Sequence, residues 1–287
     1  MTTQVENALP TPREPLGVGS IISDALGIAS RNILPFVVLT IPVLIAYGVY
    51  TLFMIRALGA QATMFTPGQV PDFSVLASIY LWQIPIYLVW IACFNAISLY
   101  ADGKWNMRRQ PIFSSLLAGT VRVPHVLAIW IMLAIPMIVF LTVVTSLLLH
   151  FVNVLWLDEA LIWLGMIVIS VLLFPFILAG QACVIGKTGP ITALRQSAQL
   201  TQRYRWPLFG LLLLMMLVGI LLMLGLMIEL VIFRFIPILG AIVSVVTVLL
   251  LPTFFFAWYG TILAIAYGRL NLIKNGVPQT KIANVFD

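Results

Sequence analysis

Long apolar stretches alternate with short polar segments along most of the chain. Each stretch is long enough to cross the ~30 Å hydrocarbon layer of a bilayer, which takes about 20 helical residues. The stretches lack the period-two alternation of a membrane barrel strand, so they indicate helices. The predicted spans are residues 33–55, 75–99, 123–149, 160–183, 207–231 and 237–267. The pattern therefore predicts an all-α, polytopic membrane protein with six transmembrane helices.

Prolines recur through these spans at similar intervals. Three leading prolines stand at the start of the odd-numbered spans and are 89 and 83 residues apart: Pro35, Pro124 and Pro207. Three internal prolines interrupt the even-numbered spans and are 90 and 77 residues apart: Pro85, Pro175 and Pro252. A fixed period of this size is typical of an internal repeat. We therefore expect one unit of roughly 85 residues to occur three times.

Each unit begins with a short amphipathic segment. Apolar residues recur there at helical spacing, which predicts a helix lying in the membrane interface. The apolar stripes are Val18, Ile21, Ile22, Ala25 and Ile28 or Ala29 in the first unit; Ile112, Phe113, Leu116, Leu117 and Val121 in the second; and Ile191, Leu194 and Ala198 in the third. The predicted unit is one interfacial helix followed by a transmembrane hairpin.

These units define the organisation of the chain. Residues 17–100, 101–186 and 187–270 are the three pseudo-repeats, which together form one membrane domain. Residues 1–16 and 271–287 are predicted cytoplasmic tails.

Composition and charge agree with a membrane location. The chain is 62% hydrophobic and 8% charged, whereas soluble globular domains are about 45–50% apolar. Thirteen of its 15 basic residues fall on one side of the six predicted spans, and only Arg56 and Arg234 fall on the other. Because Lys and Arg accumulate in cytoplasmic loops, both termini are predicted to be cytoplasmic. The first 32 residues contain no apolar core, so no cleaved signal peptide is expected.

The basic residues on the cytoplasmic side have two explanations. The chain has a formal net charge of +6, and its basic residues are spread over segments beside the membrane. This distribution favours anionic lipid headgroups over nucleic acid as partners. Topology bias alone explains the same residues without any function. The candidate headgroup contacts are Arg31, Arg122, Arg195, Arg203 and Arg205. A membrane protein partner is also possible, and the oligomeric state is left open.

Residues able to carry catalysis are scarce. His125 and His150 stand near opposite ends of the third span, too far apart to share a site. Cys93 and Cys183 are interpreted as packing residues. A loop with His150, Asn153, Asp158 and Glu159 could hold a divalent ion, but a solvated turn explains it better. We therefore predict no enzyme activity, cofactor or metal.

The internal prolines are candidate helix kinks. A proline inside a helix frees a carbonyl, and in a membrane neighbouring helices must satisfy it. Kinks at Pro85, Pro175 and Pro252 could surround a cavity, or could reflect packing alone. Asn95 and Gln181 lie in the cytoplasmic third of their spans, where hydrogen bonds between helices would explain them.

The third unit resembles a known group. Gly189-Pro190, Leu194-Arg195-Gln196-Ser197, Leu200-Thr201, Arg203, Arg205-Trp206 and Leu208-Phe209-Gly210 resemble the signature of uncharacterised bacterial six-helix membrane proteins. That group is similar to the membrane domain found beside glycerophosphodiester phosphodiesterases. The N-terminal Gly19, Ile22, Ala25, Asn32 and Phe36 are similar to its opening motif. The resemblance implies a bacterial cytoplasmic membrane, but the chain lacks the catalytic domain and the activity does not transfer.

Two functional hypotheses follow. The first is a non-enzymatic membrane protein that organises lipids or envelope partners through its interfacial helices. The alternative is a small transporter or lipid translocator whose cavity is lined by the kinked helices.

Overall fold

The computed structural model describes residues 16–59, 73–151, 165, 168, 171–233 and 237–276, and every regular element in those ranges is helical. The helices are α1 (Val18–Arg31), α2 (Ile33–Gly59), α3 (Phe73–Trp105), α4 (Ile112–Val121), α5 (Val123–Phe151), a 3₁₀ turn η1 (Phe174–Phe176), α6 (Ala179–Val184), α7 (Pro190–Thr201), α8 (Arg205–Phe233) and α9 (Pro237–Asn275).

Four of these helices are long and apolar enough to cross a membrane. The segments that meet this description are Ile33–Arg56, Leu81–Trp105, Val123–Phe140 and Arg205–Glu229, in α2, α3, α5 and α8. Helix α9 covers the sixth predicted span, while much of the fourth falls outside the described residues. The all-helical class is confirmed, and the helices are those of a membrane protein.

The core forms where α3, α6 and α9 meet. Small side chains allow these helices to approach closely, including Ala96 of α3, Ala182 of α6 and Ala264 of α9, all fully buried. A Cβ atom added to Gly260 of α9 would lie 2.8 Å from Cγ2 of Ile97 in α3. Close approach through small residues is typical of helices that associate in lipid, where dispersion contacts drive packing.

The three short helices α1, α4 and α7 surround this core in a cyclic arrangement. Helix α4 packs on α2 and α3, and α7 packs on α5, η1 and α6. Helix α1 packs in the same way on α8 and α9, the last pair along the chain. Helices α4 and α7 thus each rest on the pair that precedes them, and α1 closes the ring.

The buried faces of the short helices differ in part from the predicted stripes. In α1 the predicted stripe is buried, at Ile21, Ala25 and Ala29. In α4 the buried residues are Ser115 and Gly119, whereas Phe113 is 76% exposed.

Helix α7 shows the same departure. Its buried residues are Ala193, Ser197, Leu200 and Thr201, whereas Ile191 of the predicted stripe is 67% exposed. In α4 and α7 the residues that pack on the bundle are therefore largely different from those of the apolar stripes. Large apolar side chains lose nothing by facing lipid, so the protein contact is made by the small residues.

An ion pair joins the first interfacial helix to the last helix. Arg269 of α9 donates hydrogen bonds to the Asp24 carboxylate and to Oγ of Ser20, each at 2.5 Å. The Asp24 side chain is 41% exposed, and such pairs contribute about 0.2–1 kcal/mol. The pair therefore orients α1 more than it stabilises the fold.

Gly119→Ala should destabilise the protein by about 1–3 kcal/mol. The added Cβ would lie 2.7 Å from the Ala96 nitrogen and 2.8 Å from the Ala92 oxygen, both backbone atoms of α3, so α4 must move. Thermal unfolding in detergent measures the loss.

The matched control is Gly27→Ala in α1, where an added Cβ meets nothing within 4 Å. Because alanine favours a helix over glycine, this variant should keep or raise the Tm. Equal Tm changes for the two variants would show that the close contact of α4 with α3 contributes nothing specific.

Candidate functional site

Four of the five predicted headgroup contacts lie near the turns that follow the short helices α1, α4 and α7. Arg31 is the last residue of α1, Arg122 directly follows α4, and Arg203 and Arg205 lie between α7 and the first turn of α8. Arg122 is half-buried, and the other three are exposed. Arg195, also exposed, lies within α7 rather than at a turn. Four of the five predicted contacts thus lie at, or within four residues of, the carboxyl end of a short helix.

The position of these arginines has a structural cause. The carboxyl end of a helix carries partial negative charge from its free carbonyl groups, and a nearby cation stabilises it by about 0.3–1 kcal/mol. The same exposed arginines can also bind an anion, because stabilising the helix end leaves most of the guanidinium N–H donors available.

The first turn is held rigidly by side-chain contacts. The backbone N–H of Asn32 donates to the Ile28 carbonyl at 3.1 Å, and its side-chain Nδ2 donates to the same oxygen at 2.9 Å. Oη of Tyr100 in α3 donates to Oδ1 of Asn32 at 3.4 Å, and the Tyr100 ring packs on Phe36 with centroids 5.4 Å apart. These contacts fix where Arg31 leaves the helix.

Large apolar side chains stand beside the arginines and face outward. Leu34 lies three residues after Arg31 and is exposed. Trp206 lies directly after Arg205 and is 83% exposed. The Trp206 ring packs edge-on against Phe209, with centroids 6.3 Å apart. Aromatic and basic side chains together are typical of the headgroup level of a membrane. The turns therefore present both cationic and apolar contacts at one level.

The internal prolines occupy different local structures. Pro85 lies inside α3, Pro252 lies within the range of α9, and Pro175 lies in the 3₁₀ turn η1. The carbonyl of Pro175 accepts hydrogen bonds from Oγ of Ser197 at 2.8 Å and from Oγ1 of Thr201 at 3.2 Å. Helix α7 thus supplies hydrogen-bond donors to the backbone at this break, as expected for a proline in a membrane.

The polar residues predicted in the spans pair with neighbouring helices. Asn95 of α3 donates to the Gly119 carbonyl of α4 at 3.2 Å, and Gln181 of α6 donates to Oγ of Ser98 at 3.1 Å. Gln83 donates to Oη of Tyr50 at 3.2 Å. The prediction that Asn95 and Gln181 bond between helices is confirmed.

The structure brings no catalytic or metal-ligating set together within the described ranges. No group of three His, Cys, Asp or Glu side chains there could hold a metal ion. Cys93 and Cys183 are buried free thiols. Of the predicted outer loop, Asn153, Asp158 and Glu159 lie outside the described residues, as does Arg234.

A groove of about 290 Å³ lies between α2 and α9. It is lined by Ala29, Ile33, Phe36, Val37, Thr247, Leu251, Thr253, Phe254 and Ala257. The groove lies beside Pro252 at the side of the bundle, and neither Pro85 nor Pro175 lines it. Sequence reasoning missed this groove, although the small side chains at Val37 and Ala257 were a usable signal.

No family model, curated protein or solved structure matches this chain. The functional conclusions therefore rest on its own geometry.

Replacing both hydroxyl donors, by Ser197→Ala with Thr201→Val, should lower the free energy of unfolding by about 1–3 kcal/mol. The double variant leaves the Pro175 carbonyl without its two α7 donors, whereas either single variant leaves one in place. The single variants should therefore each cost much less than the pair.

Thermal unfolding in detergent tests this non-additivity. Thr192→Val is the control, because Thr192 lies on the same helix and is exposed. The role assigned to these hydroxyls is refuted if the double variant unfolds no earlier than the control.

Proposed function

We propose that this chain is a non-enzymatic integral membrane protein that organises lipids at the cytoplasmic membrane of a bacterium. The observation that carries the proposal is the repeated turn, in which an arginine stands beside exposed apolar side chains where an interfacial helix meets a long apolar helix. Envelope proteins recruited through the same surfaces are a further class of partner.

The energetics favour anionic lipids. Each basic residue near the surface contributes about 1 kcal/mol of attraction to an anionic leaflet. Exposed apolar side chains such as Leu34 and Phe113 add burial in the acyl region. Three such turns on one protein would gather anionic headgroups around its rim.

The proposal includes an architecture of six spans in three pseudo-repeats. The cyclic packing of α1, α4 and α7 supports it, since each short helix rests on the pair that precedes it. The balance of Lys and Arg supports cytoplasmic termini and cytoplasmic interfacial helices. The resemblance to the membrane domain beside glycerophosphodiester phosphodiesterases belongs to the same proposal.

Removing the turn arginines should deplete anionic lipid from the purified protein. The variant Arg31→Gln, Arg203→Gln, Arg205→Gln removes three exposed cations at two of the turns. We expect the ratio of phosphatidylglycerol to phosphatidylethanolamine that co-purifies with the protein to fall several-fold, measured by native mass spectrometry and lipid extraction.

The matched control is Arg108→Gln, Arg109→Gln, Lys187→Gln, which removes the same charge from exposed positions away from the turns. It should retain the parent ratio. Equal depletion in both variants would mean that net charge, rather than the turns, attracts the lipid. An unchanged ratio in the turn variant would overturn the proposal.

A lipid translocator is the second candidate function. The observation that favours it is the groove beside Pro252, which opens at the side of α2 and α9. Reconstituted vesicles carrying a fluorescent phospholipid distinguish the two functions, because an organiser leaves the label in its original leaflet.

Cysteine labelling tests the proposed orientation. Arg108→Cys lies in a predicted cytoplasmic segment, and Gln69→Cys lies in the predicted outer loop between the first two spans. A membrane-impermeant maleimide should label only Gln69→Cys in spheroplasts and both variants after lysis. The parent chain is the control, because Cys93 and Cys183 are buried. Labelling of Arg108→Cys in intact spheroplasts would reverse the orientation.

A further inference from the structure

The groove between α2 and α9 is apolar and partly open. Seven of its nine lining residues are apolar; Thr247 and Thr253 are the other two. Its lining runs along α9 from Thr247 to Ala257, a helical distance of about 15 Å. Its volume of about 290 Å³ lies near the lower limit of known ligand pockets. The shape suits a linear apolar group.

The equivalent position between α8 and η1 is filled by aromatic rings. Phe209 stands two residues after its leading proline, as Val37 does, and Phe174 stands one residue before its internal proline, as Leu251 does. The rings of Phe209 and Phe174 are in contact, with centroids 6.0 Å apart. Val37 and Leu251 instead line the groove.

The junction between α3 and α5 also carries an aromatic pair. Trp90 stands five residues after its internal proline, as Ala257 does, and Trp130 stands six residues after its leading proline, as Ile41 does. The Trp90 and Trp130 rings meet edge-on, with centroids 6.0 Å apart. Aromatic pairs thus make contacts at two junctions of the ring, whereas Val37, Leu251 and Ala257 line a groove at the third.

The open side of the groove continues into the exposed apolar surface of α2. Ile33, which lines the groove, is exposed, and so are Leu34, Val38 and Ile41 on the same helix. Helix α2 is long and apolar enough to cross a membrane, so this surface faces acyl chains in a bilayer.

We infer that the groove binds one acyl chain of a bilayer phospholipid. The inference rests on the proposed lipid-organising function and specifies where a single lipid is held. The apolar lining excludes a polar substrate, and the continuity with α2 gives an acyl chain direct access from the bilayer. A chain in the groove would complete the junction that aromatic rings complete elsewhere.

Photolabelling tests the inference on the full chain in vesicles of phosphatidylethanolamine and phosphatidylglycerol. The probe is a phosphatidylcholine with a diazirine on one acyl chain, and labelled peptides are mapped by mass spectrometry. We expect label on the α9 segment 247–257 to exceed label on the outward face of α8, at Met216 and Met223, where acyl chains make only random contact.

Val37→Phe should lower the labelling of segment 247–257 several-fold, because it introduces the ring found at the equivalent Phe209. Val38→Phe is the matched control: Val38 is 43% exposed and is not among the groove-lining residues. Leu251→Phe provides a second filling variant if Val37→Phe fails to fold, as judged by thermal unfolding.

Label on segment 247–257 no greater than on α8 would overturn the inference, as would folded filling variants that label like the parent. This outcome is distinct from failure of the lipid-organising proposal, which is measured by headgroup enrichment at the arginines. The photolabelling of segment 247–257 depends only on contact between the acyl chain and the groove.

Discussion

The packing of each short helix against a neighbouring helix is the contact on which the rest of the structure depends. It is tightest where α4 meets α3, since Gly119 lies against the Ala92 and Ala96 backbone and its carbonyl accepts from Asn95. In lipid there is little hydrophobic gain from pressing apolar surfaces together, so packing and hydrogen bonds decide which faces meet. The buried faces consequently carry mostly Ala, Ser, Gly and Thr, with Ile21 and Leu200, while Phe113 and Ile191 are exposed.

This arrangement connects stability with the surface available for lipid. Because α4 and α7 bury mainly small residues, Phe113 and Ile191 stay exposed on their surfaces. The carboxyl end of the short helix is followed within a few residues by a long helix, with an arginine at the turn. The packing of the short helices on the bundle therefore also places the arginines close to exposed apolar side chains.

The need of buried polar groups for hydrogen-bond partners accounts for the other polar contacts. The Pro175 carbonyl accepts from Ser197 and Thr201 where the helix is broken, and Gln181 bonds Ser98 across the core. Without water to accept or donate, such groups need partners within the protein. The described core contains hydrogen-bonded polar residues that serve assembly, so its polar content alone does not indicate a transport path.

The sequence by itself determined the class of the protein, because runs of about 20 apolar residues have few alternatives to membrane helices. Apolar residues at helical spacing also located the short helices, and in α1 part of that stripe, at Ile21, Ala25 and Ala29, is buried. The buried faces of α4 and α7 and the open groove were decided by tertiary structure. Hydrophobic periodicity marks the apolar side of a helix, yet in lipid that side can face outward. Only the packed neighbours show that aromatic pairs make contacts at two junctions, while Val37, Leu251 and Ala257 line a groove at the third.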